Sequence, residues 1–443
     1  MNRPYDVIIV GAGAAGLACA HELSELVSRS RRSLSVLVLE GRDRIGGRVY
    51  EKSGLELGAE FIHGANPSLL KRFESYGEPF YDVTNRRLFL EKRRLKSIPK
   101  FLESLDKIAT HVHRHVRSLK TDIPIADAIA AVASKTGIHR RARDLFQGYV
   151  EGFHAADPSI MSARGFLEAE ELSDPRLGAT SAFRPLHGYT RLLRRILEDT
   201  GSMTRLHFKT VVRRVTFDRS GCIVECEAGR EKLRYRCRYL VVTAPLGVLK
   251  ASRGTGAIDW QPGPPRGLQN VLDSMEMGHV QKLLFSFQDR FWEKLADDET
   301  VSFMHMPHDQ IFPTWWTQLP IRSGVLTAWQ GGPRAGAQSA SDWRSLRRTA
   351  LKSLSQWSGK TLTQLTAMLR ACHAHDWSSD PLSRGAYSYV RVGGLPRAKQ
   401  LSKVFEDRIL FSGEATVAGS ARGTVHGAMD SGVRAARQIW DLK

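Results

Sequence analysis

The chain has 443 residues, which exceeds one ordinary hydrophobic core and fits about two domains. Its hydrophobic fraction of 42% and charged fraction of 25% are those of a soluble globular protein. The net charge of +19 would suit an anionic partner, but the basic residues are spread along the whole chain, so we expect no nucleic-acid partner.

The sequence leads us to expect neither a membrane span nor a secretory signal. No run reaches about 18 apolar residues, so no membrane span is expected. Only Met1 to Pro4 precede an apolar segment, which argues against a secretory signal. The cysteines are odd in number and lack a CxxC pair, which argues against a disulfide framework. They are Cys19, Cys222, Cys226, Cys237 and Cys372. We therefore expect reduced thiols and a cytoplasmic protein.

The chain begins with a predicted βαβ unit. Asp6–Val10 is a short apolar run typical of a buried parallel strand, and Leu17–Val27 has the apolar spacing of a helix. Leu34–Leu39 is a second apolar strand, which is followed by Glu40. The turn Gly11–Gly16, between the first strand and the helix, fits GxGxxG. In this context the motif predicts a dinucleotide site.

Each residue type in this turn has a physical role. Gly11 makes the tight turn, Gly13 lets the backbone approach a pyrophosphate, and Gly16 lets the helix pack on the strand. The helix N-terminus, which includes Ala15, stabilises the phosphate charge. Glu40 can accept hydrogen bonds from an adenosine ribose.

The remaining chain alternates between helical and strand-like segments. Residues from Leu88 to about Leu197 have helical periodicity, and β signals return at Met203. Gly254–Gly267 is rich in glycine and proline and is typical of a connection between domains. Further predictions are strand-like runs in 279–330, a helix over Trp343–Leu369, a strand over Arg408–Phe411 and a closing helix over Thr424–Trp440. His111, His113 and His115 alternate along a predicted helix and do not share one face, so no metal site is predicted.

A second motif indicates which dinucleotide binds. Glu40–Arg48 reads EGRDRIGGR and resembles the ExRxRxGGR stretch of the large FAD family that includes glutathione reductase-like oxidases, amine oxidases and phytoene desaturases. Arg42 and Arg48 would place guanidinium groups near the pyrophosphate and ribose. Gly46 and Gly47 would let the backbone approach the cofactor closely. The resemblance implies FAD rather than NAD.

Five more motifs follow one another along nearly the whole chain. They are Leu57–Gly64, Thr243–Lys250, Val280–Lys282 with Phe291–Trp292, Trp377–Tyr387, and Phe411–Glu414 with Gly423–Gly432. Together they resemble the flavin-containing amine oxidase family, which includes monoamine, polyamine, spermine and L-amino-acid oxidases and flavin histone demethylases. The resemblance implies an α/β fold in which a Rossmann-like FAD-binding domain of the glutathione-reductase type is interleaved with an α+β substrate-binding domain. We assign residues 1–65, 200–265 and 395–443 to the FAD-binding domain. Residues 66–199 and 266–394 form the substrate domain, with a helical insert at about 88–199.

The same resemblance implies a set of site residues. Lys282 would be the catalytic residue: it would hold a water beside flavin N5 and assist the reaction of reduced flavin with oxygen, because a cation stabilises negative charge developing on oxygen. The substrate would contact His63, Trp377 and Tyr387. Cofactor contacts beyond the glycine turn would come from Arg42, Gly47, Arg48, Gly58, Ala59, Glu60, Val212, Trp377, Gly413, Glu414, Thr424 and Val425.

The sequence departs from the family at one wall of the pocket. The family usually sandwiches the amine between two aromatic rings. Tyr387 fits one wall, but Val417–Arg422 contains no aromatic residue, so either the pocket is wider or another aromatic residue supplies the second wall. The candidates are Trp315, Trp316 and Trp329. No cysteine lies near Tyr387, so FAD should be bound non-covalently. Because the protein is basic, a cationic amine would need local acids, for which the candidates are Glu60, Glu151, Glu168 and Glu170.

The sequence therefore predicts an FAD-dependent oxidase that oxidises the C–N bond of a polyamine or monoamine. Hydride would pass to flavin N5, and O2 would be the acceptor, with imine or aldehyde and hydrogen peroxide as products. The alternative is an L-amino-acid oxidase or related flavin monooxygenase, in which Arg422 or Arg184 would bind the substrate carboxylate. A flavin-binding, corepressor-like module without turnover is supported only by the basic charge. We expect a monomer or homodimer that acts on a small amine or amino acid without contacting a membrane.

Overall fold

The computed structural model describes residues 3–64, 66–83, 87–91, 94–97, 99–136, 140–171, 182–296, 301–307, 310–338 and 342–442. Its strands, in chain order, are β1 (Tyr5–Val10), β2 (Val36–Leu39), β3 (Glu51–Lys52), β4 (Leu55–Glu56), β5 (Ile62–His63), β6 (Phe80–Asp82), β7 (Arg87–Glu91), β8 (Arg94–Lys96), β9 (Ala182–Pro185), β10 (Thr204–His207), β11 (Val211–Asp218), β12 (Gly221–Ala228), β13 (Glu231–Val242), β14 (Asp259–Gln261), β15 (Met275–Met277), β16 (Val280–Phe287), β17 (Phe303–His305), β18 (Thr314–Thr317), β19 (Val325–Gly331), β20 (Leu369–Ala374), β21 (Ser388–Val390), β22 (Val404–Phe405) and β23 (Ile409–Phe411). Its α-helices are α1 (Ala14–Ser28), α2 (Pro67–Ser75), α3 (Pro99–Ser118), α4 (Ile125–Thr136), α5 (Arg140–Phe153), α6 (Ala163–Glu171), α7 (Gly188–Asp199), α8 (Leu246–Leu249), α9 (Leu268–Asp273), α10 (Pro333–Ala337), α11 (Trp343–Trp357), α12 (Leu362–Met368), α13 (Leu395–Ala398) and α14 (Val425–Asp441).

The largest sheet of the described residues has nine strands, which come from the N-terminal, middle and C-terminal parts of the chain. Its order is β10-β2-β1-β13-β12-β11-β14, and β23 pairs with both β13 and β22. The pairs β1–β2, β1–β13, β10–β2 and β13–β23 are parallel. Side chains of β1 alternate between two cores: Val7 and Ile9 pack in one, and Ile8 and Val10 pack in the other. Both faces of this sheet are therefore covered, as expected for parallel strands.

The predicted βαβ unit is confirmed, and glycines set how closely its parts pack. A Cβ on Gly16 would lie 2.0 Å from the carbonyl oxygen of Gly11, and one on Gly432 would lie 2.2 Å from the carbonyl oxygen of Ala15. The predicted closing helix is also confirmed as α14, which packs on α1. The turn that follows β1 contacts α1, and α1 contacts α14. These contacts bring the N-terminal and C-terminal parts of the chain together.

The second large sheet has seven strands in the order β20-β16-β19-β18-β17-β7-β8. Its strands β16 to β19 confirm the strand-like runs predicted in 279–330. Residues 87–96 join this sheet as β7 and β8 because Leu88 and Leu95 are buried in its core. The predicted helical segment therefore begins at Pro99 rather than at Leu88.

Four helices, α3 to α6, pack around a core of their own. The helix α7 packs instead on α1, through Tyr189, Leu192, Leu193 and Ile196. The predicted helix over Trp343–Leu369 is two helices, because Thr361 forms a capping box that starts α12. The division of the chain into domains stays a prediction. Nowhere in the described ranges is a helix both long and apolar enough to cross a membrane.

Candidate active site

A cavity of about 1050 Å³ is lined by both large sheets and by α3, α5, α6 and α14. The residues that the sequence assigned to cofactor, catalysis or substrate line this cavity, apart from Gly16. Among the further candidates for the pocket, Trp315, Glu151 and Arg184 are not part of its described lining. Gly16 instead contacts the backbone of Gly11, which is the helix-packing role predicted for it. The fold thus brings motifs from all parts of the chain to one site.

Glycine backbone forms one end of the cavity. A Cβ on Gly13 would lie no closer than 3.8 Å to protein, and one on Gly47 no closer than 3.7 Å. Both residues line the cavity, so the space beside them is available to a ligand. Gly13 also caps α1 without a side chain, and the first turn of α1 contains no acidic residue. The free backbone N–H groups in the first turn of α1 therefore suit an anion such as a pyrophosphate.

Glu40 and Arg42, which follow β2, hold the chain beside the glycine turn through hydrogen bonds. The buried Glu40 carboxylate accepts hydrogen bonds from the backbone N–H of Ala12 and of Arg42, each at 2.8 Å. The Arg42 guanidinium contacts both carboxylate oxygens of Asp380 at 2.9 Å and donates to Ser383. Burial raises the pKa of Asp380, but hydrogen bonds from His375 and Arg42 outweigh it and hold this pKa well below its usual range. Arg42 is therefore engaged with protein as well as lining the cavity.

Arg48 and Glu414 join the two ends of the chain beside the cavity. Arg48 NH1 donates to the carbonyl oxygen of Ala386 at 2.6 Å and to Glu414 Oε1 at 2.9 Å. Glu414 Oε2 accepts hydrogen bonds from the hydroxyl and backbone N–H of Ser388. Within the described ranges both hydrogen bonds of the Arg48 guanidinium use NH1, so Nε and NH2 can still contact an anion.

The N-terminus of α14 also opens on the cavity. Thr424 caps this helix by accepting a hydrogen bond from the backbone N–H of Gly427 at 3.0 Å, and Val425 is its first residue. A helix N-terminus stabilises negative charge. Val212, the second residue of β11, also lines the cavity. Together the glycine cradle, the Arg48 donors and two helix N-termini fit FAD.

Lys282 lies at the centre of a buried ion network rather than on the surface. Three oxygens approach its Nζ: the carbonyl oxygen of Glu56 at 2.6 Å, Glu60 Oε2 at 2.7 Å, and the carbonyl oxygen of Gly58 at 3.1 Å. Glu60 Oε1 accepts hydrogen bonds from Arg184 Nε at 2.9 Å and Trp316 Nε1 at 3.1 Å. Burial raises the pKa of Glu60, but Lys282 and Arg184 lower it further than burial raises it, so this carboxylate is ionised.

Two histidines face the cavity near this network. Burial, together with the neighbouring His426, lowers the pKa of His63 to about 4. Burial also lowers the pKa of His426 to about 4. Both rings are therefore neutral at pH 7, and each can exchange hydrogen bonds with a ligand without adding positive charge.

Aromatic side chains line the part of the cavity beyond these histidines. The Tyr387 ring packs against Gly423, and its hydroxyl donates to the carbonyl oxygen of Phe153 at 2.7 Å. The Phe153 ring is 5.3 Å from the His63 ring and stacks on Tyr149. Trp316 and Trp329 also line the cavity, whereas Trp315 is fully buried in the core of the second sheet and does not. The other aromatic residues of this part of the cavity therefore come from α5, β18 and β19.

Trp377, which was predicted to contact both flavin and substrate, is mostly buried. Its Nε1 donates to the carbonyl oxygen of Leu57 at 3.1 Å, and a Cβ on Gly58 would lie 3.1 Å from its ring. The same Cβ would lie 1.8 Å from the carbonyl oxygen of Arg48. Gly58 is thus required by the contact between these segments, and Trp377 holds that contact.

The four predicted acids occupy different places. Glu60 is neutralised by Lys282 and Arg184, so it is not a free acid in an entrance funnel. Glu151 is not among the described residues that line the cavity, and it accepts a hydrogen bond from Gln147. Glu168 lines the cavity and pairs with Lys399 at 2.7 Å, while Glu170 lines it and accepts hydrogen bonds from Tyr149 and His154.

The two arginines proposed for a substrate carboxylate also differ. Arg184 is fully engaged: it pairs with Glu60, donates to the carbonyl oxygens of Thr317 and Leu319, and lies over the Phe61 ring. Arg422 lines the cavity beside Tyr387, and its NH1 donates to the carbonyl oxygen of Ala415 at 3.1 Å. Burial lowers the pKa of Arg422, although Glu414 and Glu168 partly oppose this effect.

Several residues of the site were not predicted from the sequence. Asp380, which pairs with Arg42, lies inside the Trp377–Tyr387 motif, so the motif itself was the available signal. His375, which contacts Asp380, lies before this motif and carried no signal. Phe153 carried no signal, because an aromatic residue in a helix is usually core. In the described residues no group of three or more His, Cys, Asp or Glu side chains could hold a metal ion.

Comparisons with known proteins agree with this geometry. The sequence model described as flavin containing amine oxidoreductase matches residues 14–440. The chain is 26% identical to polyamine oxidase 2 of Arabidopsis thaliana over 98% of this chain and 88% of that protein. It is also 26% identical to lysine-specific histone demethylase 1 homolog 2 of Oryza sativa subsp. japonica, but spans 57% of that protein's length.

Solved structures share the fold. Wild-type putrescine oxidase bound to putrescine superposes with a TM-score of 0.78, covering 99% of each chain at 20% identity. A redesigned variant of putrescine oxidase superposes with a TM-score of 0.81 over the same share of each chain. At this identity the likeness establishes a mixed α/β fold of the same architecture and nothing about the substrate.

Proposed function

Because the chain belongs to the flavin containing amine oxidoreductase family, we propose that it is an FAD-dependent oxidase that acts on the C–N bond of a small amine. The bound flavin supplies the two-electron acceptor, taking hydride from the carbon beside the amine at N5 and passing electrons to O2. FAD is held non-covalently by the glycine cradle, Arg48, Glu414 and the N-termini of α1 and α14. The nine-stranded sheet is, in this proposal, the Rossmann-like FAD-binding domain of the glutathione-reductase type.

One observation carries this proposal: the nucleotide cradle and an aromatic chamber are parts of one continuous cavity. A dinucleotide bound at Gly13 would extend toward the side chains of Lys282, His63 and Tyr387, which line the same cavity. The cavity wall is mostly apolar, which favours the uncharged form of an amine, the form that gives up hydride. The neutral ring of His63 can accept a hydrogen bond from such an amine.

The aromatic residues would orient the substrate. Tyr387 forms one wall, and Phe153, Trp316 and Trp329 supply the aromatic surface that Val417–Arg422 lacks. Glu168 and Glu170 add negative charge to the cavity wall, which partly offsets the basic net charge for a cationic amine. The names of the similar proteins, polyamine oxidase and putrescine oxidase, favour a diamine or polyamine as the first compounds to test.

A second candidate, an amino-acid oxidase, is favoured by Arg422. This half-buried guanidinium lies at the cavity wall beside Tyr387, where a substrate carboxylate could pair with it. Arg184 does not support this candidate, because its donors are engaged with Glu60 and the carbonyl oxygens of Thr317 and Leu319.

The test is anaerobic titration of the purified, flavin-containing protein with putrescine, spermine, a monoamine and a set of L-amino acids. Bleaching of the flavin absorbance by an amine, followed by hydrogen peroxide release when air is admitted, is the expected result. Bleaching only by amino acids would select the second candidate. A protein that purifies without flavin and does not take up added FAD would contradict both.

A further inference from the structure

Arg42 lines the cavity beside the glycine turn. The Glu40 carboxylate keeps it there, because it accepts from the backbone N–H of Arg42 as well as from that of Ala12. The NH2 group of Arg42 donates to Asp380 Oδ1 at 2.9 Å and to the Ser383 hydroxyl at 3.0 Å, and NH1 lies 2.9 Å from Asp380 Oδ2. In the described ranges both hydrogen bonds of the guanidinium use NH2, so its Nε–H is available to a ligand.

The Asp380 carboxylate is itself held in place. Oδ1 accepts a hydrogen bond from the backbone N–H of Leu382 at 2.9 Å, and Oδ2 lies 2.6 Å from His375 Nε2. The His375 ring packs in turn on Trp377, with 4.2 Å between the ring centroids. Asp380 and Ser383 are both buried. An arginine paired with such fixed acceptors has already lost much of its rotamer freedom.

We propose that Asp380 is a positioning residue for FAD, because its carboxylate fixes the Arg42 guanidinium at the cavity before the cofactor binds. An arginine that had to be ordered during binding would weaken affinity by about threefold to tenfold. Asp380 offsets part of the positive charge, so the gain lies in orientation. Arg42 would contact the ADP half of FAD, since it lies beside the glycine turn that suits the pyrophosphate. This inference rests on the proposed function only in requiring bound FAD.

The main variant is Asp380→Asn, which keeps the shape of the side chain but removes the charge that holds Arg42. The matched control is Glu78→Gln. Glu78 is also a buried carboxylate, 2.7 Å from an arginine, Arg191, and 3.3 Å from a histidine, His187. None of these three residues is part of the described cavity lining, so the control removes a similar ion pair without touching the cofactor site.

The first readout is the dissociation constant of FAD, measured by isothermal titration of flavin-free protein. Asp380→Asn should raise this constant about tenfold, whereas Glu78→Gln should leave it unchanged. Arg42→Met should raise it at least as much, because a charge-assisted hydrogen bond is lost. Since Asp380 acts through Arg42, the double variant should bind FAD no more weakly than Arg42→Met alone. Multiplied losses in the double variant, or an unchanged constant in Asp380→Asn, would overturn the proposal.

A second variant, Arg42→Lys, covers the case in which Asp380→Asn folds poorly. Lysine keeps the positive charge but lacks the planar fork that meets both Asp380 oxygens and Ser383. It should weaken FAD binding by about tenfold, and wild-type affinity in this variant would overturn the proposal.

The third readout is the affinity for ADP, with the fraction of competent protein taken from the stoichiometry of each titration. Asp380→Asn should weaken ADP by the same factor as FAD. Weaker FAD binding with unchanged ADP binding would place the effect at the flavin half and contradict the inference, as would a wild type that binds FAD but not ADP.

The wild type separates this inference from the proposed function. Protein that takes up no FAD would contradict both. Normal FAD uptake without bleaching by any amine or amino acid would contradict only the oxidase activity, and normal uptake by wild type and variants alike would contradict only the role of Asp380.

Discussion

The two ends of the cavity are built from different materials. The end of the cavity beside Gly13 and Gly47 is formed mostly by main chain. These two glycines leave room for a ligand, and helix N-termini line the same space. The chamber is mostly side chain, and its two buried cations, Lys282 and Arg184, share one carboxylate, that of Glu60. A backbone cradle fails when a Cβ fills it, whereas a buried ion network fails when one charge is removed. The two ends should therefore respond differently to substitution.

The largest effect is expected where glycine contacts the protein itself. In Gly16→Ala the new Cβ would lie 2.0 Å from the carbonyl oxygen of Gly11, so the turn after β1 or the axis of α1 must shift. We expect a loss of at least about 3 kcal/mol in the free energy of unfolding, together with loss of flavin. Urea denaturation measures the free energy of unfolding, and the visible absorbance of the purified protein measures its flavin content. Gly263→Ala, where nothing lies within 4 Å of the added Cβ, is the control and should behave as wild type.

The next largest effect is expected at Gly13, in the same turn, where an added side chain would occupy the space for the ligand rather than contact the protein. Gly13 has extended backbone angles, φ −77 and ψ −176, which alanine and valine adopt readily, and its surroundings leave room for a Cβ. Gly13→Ala should weaken FAD binding and Gly13→Val should abolish it, while the flavin-free protein keeps its Tm. Isothermal titration of apoprotein with FAD measures the affinity. Equal FAD affinity in the three proteins would place the pyrophosphate elsewhere.

The two ends of the cavity also differ in how well they could be predicted from the sequence. The βαβ unit and the place of Gly13, Glu40 and Glu414 at the cavity were predictable because these residues lie in contiguous motifs whose spacing is set by a turn or a helix. The partnership of Glu60 with Arg184 was not, since the two residues come from segments joined only by tertiary packing. Glu60 was accordingly predicted to be an accessible acid or a cofactor contact.

The strands β7 and β8 teach the same lesson for the fold. Their residues lie at the start of a segment with helical periodicity, but Leu88 and Leu95 are buried in the core of the second sheet. Pairing of β7 with β17 supplies backbone hydrogen bonds that a local pattern cannot reveal.

A smaller effect is expected for pH dependence in the chamber. The pKa of His426 is about 4 in the folded protein, against 6.5 for an ordinary histidine. Between these values the unfolded chain binds the proton more strongly, so stability is full above pH 6.5 and is lost as pH falls toward 4. At about 1.4 kcal/mol per pKa unit the loss is on the order of 1–3 kcal/mol. Urea unfolding of flavin-free protein at pH 7 and pH 5 should show it, and His426→Asn should reduce the difference without removing it, because His63, whose pKa is also about 4, contributes a similar share. An unchanged slope in the variant would assign the effect to other groups.

The smallest expected effect distinguishes the two candidate substrates at Arg422. If an amine is the substrate, the guanidinium has no anionic partner in the substrate, and Arg422→Met should change kcat/KM for the best amine by less than about threefold. If an amino acid is the substrate, its carboxylate would lose a buried charged hydrogen bond, and kcat/KM should fall by about a hundredfold. The control is Arg384→Met, because Arg384 lies outside the cavity lining in the described ranges and donates to the carbonyl oxygens of Arg253 and Thr255. A large loss with an amine in Arg422→Met, but not in the control, would mean that Arg422 supports the chamber through Ala415 and would remove it as evidence for an amino-acid substrate.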